Sequence, residues 1–452
     1  MAKKEINMTE GNPLRRMLVF GAPVMAGGIL QQMYNMADAV IAGRFIGSEA
    51  LASVSNCFYV VFLVTIMFLG IGQGASIVIS QLYGSGETKR VRSAVDTVTV
   101  LLAGGGLICT LLGAAFSEPI LRLMSTPPAL MADSAAYLRI IFMGSIPSLG
   151  YTILAALLNA VGNSRTPLVL LGVSSLINIL LDLLFVPLFG MGIEGLALAT
   201  VIAQSVSLAG CVVYLSRCGS LISLRLRGLR FSGKMFMLII KLGVPTGLQN
   251  SLMIISMMVL QRQINEFGVA VMAGRGIESK IESFMLIPLS SIATAVTTFV
   301  GQNTGARKDE RVLQGLKSGL LMAAAVSFIF WFVLFFFSGP ILGIFSSNEE
   351  ALFEARRCMD IIAPTFIFYS LATAWQSFFR GVGDTVFPLV VSIFTQFAYR
   401  IAAIGLFLDI WPTPSGIWYL YVSSWMLMFL LNCIYYKTGY WKKYAAAIRA
   451  AV

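Results

Sequence analysis

Asp38, Asn178, Asp182 and Thr200 are the side chains in the first half of this chain best suited to chemistry inside an apolar environment. Asp38 is the only formal charge between Arg16 and Arg44. A carboxylate in such a run costs about 2.5–3.5 kcal/mol even on a lenient insertion scale, so it marks a candidate functional site. Asn178 and Asp182 are four residues apart and share one helix face. At about 1.5 Å per residue, Asp38, Asp182 and Thr200 fall roughly 7–11 Å from the outer ends of their helices, with Asn178 a little deeper, and the four can form one layer. Their ligand atoms are all oxygens, counting the amide oxygen of Asn178, which suits a hard cation such as sodium. Two desolvated carboxyls held close together can equally trade a proton. The residue types leave proton and sodium both open.

Other chemistries lack their residues. Histidine is absent, which removes the commonest metal ligand and general base. The six cysteines, Cys57, Cys109, Cys211, Cys218, Cys358 and Cys433, show no C-x-x-C spacing and fall mostly in apolar runs, as small buried hydrophobes do. There is no G-x-x-x-x-G-K-[ST] phosphate loop. A membrane-embedded enzyme is a weak alternative, because no nucleophile–base pair or metal cluster is visible. We therefore expect no enzyme and no cofactor or structural metal, only H+ or Na+ as a coupling ion.

The elements that position these groups are membrane spans. With 57% apolar residues, 12% charged and a mean hydropathy of +0.83, the chain reads as an all-α polytopic membrane protein. Apolar runs lie at about 14–43, 50–82, 93–116, 134–161, 166–187, 193–216, 235–262, 269–301, 314–337, 351–380, 387–409 and 415–436, which predicts twelve spans. The polar, basic start has no short apolar core or cleavage site, so the first span is the expected anchor. The net charge of +11 is scattered between apolar runs, so nucleic acid is not an expected partner. Most of the Lys and Arg residues fall on one side of the spans, which puts both termini in the cytoplasm of a bacterial-type plasma membrane. The expected organisation is a cytoplasmic start (1–13), a first lobe (14–216), a linker (217–234), a second lobe (235–437) and a cytoplasmic tail (438–452).

The two halves repeat. One constant separation relates Gly47 to Gly268, Gln81 to Gln302, Arg90 to Arg311, Ser117 and Pro119 to Ser338 and Pro340, Gly162 to Gly383, Pro167 to Pro388, and Gly195 to Gly416. A register that survives six spans signals internal duplication. Six spans per half predict two lobes related by a pseudo-twofold axis along the membrane normal, with cargo handled between them. The same register carries Asn178 to Tyr399, Asp182 to Ala403, Thr200 to Tyr421, and Asp38 to Val259 or Leu260. The second half builds a matching architecture without the acids, so they belong to function. Pro23 and Pro245 are the paired helix-breaking residues of the first and seventh spans, as static bends or as hinges. Glu278 and Glu282, one turn apart with Arg275 and Lys280 nearby and Arg400 in the eleventh span, form either a local ion-pair network or a second acidic site for cation or drug.

In these motifs the chain resembles the multidrug and toxic compound extrusion (MATE) family. The likeness rests on the proline-containing first helix with Gln31, Tyr34 and Asp38, the turn Gln81-Leu-Tyr-Gly84-Ser-Gly86, Gly162-Asn-Ser-Arg-Thr-Pro167 with its echo Gly383-Asp-Thr-Val-Phe-Pro388, and Pro187-Leu-Phe-Gly-Met-Gly-Ile-Glu-Gly195. The resemblance implies a cation-coupled antiporter that exports organic cations and amphipathic drugs, working as a monomer among membrane lipids. Asp38, Asn178, Asp182 and Thr200 resemble the amino-terminal-lobe cation site of the DinF-like branch, with Gln31 and Tyr34 at the same site. The NorM-like branch places acids in the seventh and tenth spans, where this chain offers Gln249 and Gln261 and none from Ile361 to Phe379. The alternative within the same superfamily is a lipid-linked oligosaccharide flippase, which should line its path with Arg or Lys.

Overall fold

The computed structural model describes residues 5–217 and 228–451, so Cys218, Arg225, Arg227 and most of the expected linker lie outside the described residues. The helices, in order, are α1 (Pro13–Ile41), α2 (Ser48–Gly84), α3 (Thr88–Leu123), α4 (Pro128–Met143), α5 (Ser145–Ala160), α6 (Arg165–Leu183), α7 (Gly192–Arg217), α8 (Gly233–Glu266), α9 (Val269–Gly305), α10 (Asp309–Gly343), α11 (Glu349–Val382), α12 (Val386–Ser392), α13 (Tyr399–Ile410), α14 (Pro414–Thr438) and α15 (Trp441–Ala451). Three π-helical turns follow α1, α6 and α12.

Among the described residues, ten continuous helical runs are long and apolar enough to cross a membrane. The expected fourth span is broken: α4 and α5 meet at 52° around Gly144 and together make an eleventh. Helix α1, 29 residues long, has the length to cross. Gln31, Gln32, Asn35 and Asp38 in its second half make it too polar to join that set on hydropathy, and with it the spans number the expected twelve.

Two compact units result, Met1–Asn7 with Ala22–Gly247 and Met8–Gly21 with Leu248–Val452. The division falls inside α1 and α8, not in the segment after α7. It passes beside Pro23 and two residues beyond Pro245, where a helix has lost a backbone hydrogen bond.

Close packing explains where the first half of α8 goes. In the first unit, a Cβ on Gly70 of α2 would stand 2.4 Å from the Gly247 Cα, and one on Gly74 would stand 2.5 Å from the Gly243 nitrogen. The backbones touch because neither helix carries a side chain there, a small-residue arrangement typical of membrane helices. The second unit uses Ser291 and Ala295, the counterparts of Gly70 and Gly74. Ser291 Oγ donates to the Gly21 carbonyl at 2.6 Å. Just before α1, residues 8–11 are held within the same unit: Met8 N–H donates to Gln302 (3.2 Å), and Asn303 and Arg311 donate to the Met8 carbonyl.

The repeat is also visible at the turns. Gly162 and Gly383 both take a left-handed φ, 84° and 96°, which L side chains disfavour. The next residue caps the following helix in each unit: Asn163 Oδ1 accepts from Thr166 N–H (3.1 Å), and Asp384 Oδ1 accepts from Phe387 N–H (3.0 Å). Asn163 Nδ2 donates to Tyr214, whereas Tyr435, the counterpart of Tyr214, donates to Asp384. Burial pushes the Asp384 carboxyl above its ordinary range, against the opposing pull of Tyr435 and of the backbone N–H groups of Phe387 and Val386.

Three outcomes follow from this packing. Gly74→Val should abolish recovery of monodisperse protein on size-exclusion chromatography, because a β-branched side chain cannot occupy a backbone contact. Asp384→Asn, which reproduces the Asn163 arrangement, should melt at or above the wild-type temperature at neutral pH. Asp384→Leu, which loses the cap and strands Tyr435, should lower stability by about 1–3 kcal/mol.

Candidate functional site

Helices α1, α4, α6 and α7 of the first unit supply the site. Asp182 is fully buried and Asn178 is 1% exposed, since the face of α6 that carries them also carries the buried Leu171, Ser174 and Ser175. Asp38 comes from the second half of α1, and its carboxyl faces that of Asp182, with the Tyr34 hydroxyl turned to the same place. Tyr34 Oη also shares a hydrogen bond of 3.2 Å with Thr200 Oγ1, which donates to the Leu196 carbonyl. The structure thus brings Tyr34, Asp38, Asp182 and Thr200 together, and Asn178 stands one turn along α6 from Asp182.

Polar atoms here are left over. Asp38 Oδ1, both Asp182 oxygens and both polar atoms of Asn178 make no hydrogen bond of ordinary geometry. No ion pair to either aspartate occurs among the described residues. Buried polar groups are nearly always satisfied, and an unpaired buried carboxylate is among the costliest exceptions. A set of orphaned oxygens with no resident countercharge is suited to taking up a proton or a small hard cation.

The backbone changes pitch at the same level. Helix α1 runs on from Asp38 into the π-helical turn Ala42–Ile46, and α6 passes from Asp182 into a second, Leu184–Leu188. Such wider turns recur at functional sites, where they re-aim side chains. Ile41, Ala42, Val186 and Leu196, with Ile46 against them, form an apolar cluster about one turn beyond the acids. Gln31 donates to Asn35 at 3.3 Å and lines a cleft with Tyr34, Ser174, Ser175 and Gln204.

Tyr137 of α4 was not anticipated from sequence. It lies within the electrostatic reach of Asp38, Asp182 and Cys57. The available signal was its position, a polar group near the start of its span, at the level expected for the acids.

In the second unit, Glu278 and Glu282 are bound to Arg275, the second at 3.0 Å. All three are at most 8% exposed. Of the two arrangements open to these glutamates, the structure contains the ion pair. Lys280 stays apart, 6.0 Å from the Phe345 ring. Arg400, 1% exposed, donates to Ser424 at 2.9 Å and lies 4.2 Å from the Tyr421 ring centre.

A family model, MatE, matches residues 23–184 and again residues 245–403. The chain belongs to the MatE family. Two matches on one chain restate the duplication, and MatE proteins are multi-pass membrane transporters, not enzymes. This MatE chain is 29% identical to the probable multidrug resistance protein YoeA of Bacillus subtilis, over 95% of this chain and 94% of that one. It is 25% identical to the probable multidrug resistance protein NorM of Thermotoga maritima, over 97% and 95%. Its fold matches a crystal structure of a MATE protein in the bent conformation with a TM-score of 0.90 at 20% identity, over 99% of this chain and 100% of that one.

An uncompensated acid that serves function should cost stability. Asp182→Asn is expected to raise stability by about 0.5–2 kcal/mol, read as a higher melting temperature in detergent. A lower melting temperature would mean that the carboxylate is structurally paired after all.

Proposed function

We propose that this MatE protein is a secondary antiporter of the plasma membrane that exports organic cations and amphipathic compounds in exchange for H+ or Na+. The observation that carries the reading is the pair of facing, ion-pair-free carboxyls of Asp38 and Asp182, set with Asn178, Thr200 and Tyr34 in one unit and missing from the other. This oxygen set is the one expected for the DinF-like branch, and the names of relatives such as YoeA and NorM support drug-like cargo.

The cation enters the acid layer from outside, down its gradient, and neutralises the carboxyls. Neutralisation changes the energy of the second half of α1, the part that carries Asp38 and lies beyond Pro23. The transporter then alternates between outward- and inward-accessible states because the loaded and unloaded site favour different ones, which is the only way a ligand shifts such an equilibrium. Both termini are cytoplasmic on this reading, with the monomer as the working unit.

Dye efflux from proteoliposomes, driven by a proton gradient or a sodium gradient imposed separately, tests the proposal and identifies the ion. Asp38→Asn and Asp182→Asn should each reduce gradient-driven efflux at least tenfold, which is about 1.4 kcal/mol in the coupling, with helical content unchanged. Wild-type rates in both variants would refute the mechanism.

A further inference from the structure

The ion-pair cluster of the second unit and the acid layer of the first occupy corresponding places in the repeat. Tyr421, whose ring lies 4.2 Å from the Arg400 guanidinium and 5.6 Å from that of Arg275, is the counterpart of Thr200. Tyr399, beside Arg400, is the counterpart of Asn178. Cys358, in the field of Arg275 and Glu282, is the counterpart of Tyr137, which is in the field of Asp38 and Asp182. Glu278 is the counterpart of Cys57, the other neighbour of Tyr137. One position in the fold therefore holds two unpaired acids in the first unit, and two acids with two guanidinium groups in the second.

We propose that Arg275 and Arg400 are tethered counter-cations, filling in the second unit the place that the first unit leaves to an exchangeable one. This inference rests on the reading of Asp38 and Asp182 as the exchange site. A guanidinium does not lose its proton in a protein and cannot dissociate from the chain. It therefore satisfies the buried carboxylates permanently, where a proton or Na+ satisfies them only for part of the cycle. The ring faces of Trp418 and Tyr421 beside Arg275, and the Ser424 hydroxyl and Tyr421 face at Arg400, hold the two groups in position. Glu354, the other acid near the cluster, is paired with Arg357, and Arg380, which also acts on Tyr369, is in the field of neither glutamate, so the groups in one another's field are two arginines and two glutamates. Cation exchange is confined to the first unit, and the cluster of the second unit stays neutral throughout.

The arrangement makes a charge-counting prediction. Arg275→Ala leaves the cluster with Glu278, Glu282 and a single guanidinium, that of Arg400, one positive charge short, and the site must then recruit one monovalent cation or proton. The test uses purified full-length protein in the Asp38→Asn/Asp182→Asn background, with radioactive sodium binding and proton uptake by indicator dye as readouts. This background should bind neither ion. Adding Arg275→Ala should create uptake of one ion per chain, and further adding Glu282→Gln should abolish it by restoring the balance. Arg275→Lys, which keeps the charge, should create none. If Arg275→Ala does not fold, Arg400→Met carries the same expectation.

Uptake in the background that disappears with Glu282→Gln would overturn the proposal, as would no new uptake in a folded variant lacking one guanidinium. A wild-type protein that takes up no more than the Asp38→Asn/Asp182→Asn background would instead sink the exchange-site reading. The response to Arg275→Ala would still be read independently.

Discussion

A buried charge in an apolar medium must be neutralised, and most of what distinguishes the two units follows from how each meets that requirement. In the second unit Glu278 and Glu282 meet it with Arg275. In the first unit, among the described residues, Asp38 and Asp182 have only each other, a tyrosine hydroxyl and neutral oxygens. Such an arrangement costs several kcal/mol unless a proton or cation joins it. The duplicated frame therefore carries one half whose electrostatics are closed and one whose electrostatics are open. On the proposed reading, the open half is the one that responds to an ion gradient.

That response is useful only if α1 can move without dismantling its surroundings. Helix α1 is divided at its proline: Pro13–Gly21 packs in the second unit, through contacts such as Ser291 with Gly21, and the part bearing Asp38 packs in the first. Helix α8 is divided likewise, with the Gly70–Gly247 and Gly74–Gly243 contacts fixing its first half. Each divided helix has lost a backbone hydrogen bond near the division, which lowers the resistance to bending there. Packing thus anchors the two parts of each helix in different units, with Pro23 and Pro245 next to the divisions.

Much of this was legible in the sequence, for identifiable reasons. Glycines with left-handed φ and prolines at helix starts tolerate few substitutes, so pairs such as Gly162 and Gly383 preserve the register of the duplication. Asp38, Asn178 and Asp182 stand out because polar groups are rare in apolar runs, and their depths followed from helix rise alone. The division inside α1 and α8 was not legible, because hydropathy sees one continuous helix and is blind to which neighbours each half touches. The bend between α4 and α5 was hidden for the same reason: Gly144 is an ordinary residue in a membrane helix. Tyr137 escaped notice because its importance comes from what α4 faces. The choice between an ion pair and an acidic site for Glu278 and Glu282 needed the rotamer of Arg275, which no spacing rule supplies.

The threading of the amino-terminal residues has a consequence for biosynthesis. Residues 8–21 are translated before the first repeat, yet their packing partners, Ser291, Gln302, Asn303 and Arg311 among them, are translated only after the whole of it. The early stretch must wait, unpartnered, until the second half has been inserted. The last turns before Gly247 behave in the opposite sense, settling onto a repeat that is already complete. The two halves are therefore not independent folding products. A split made at the linker would part each half from a segment that its own core requires.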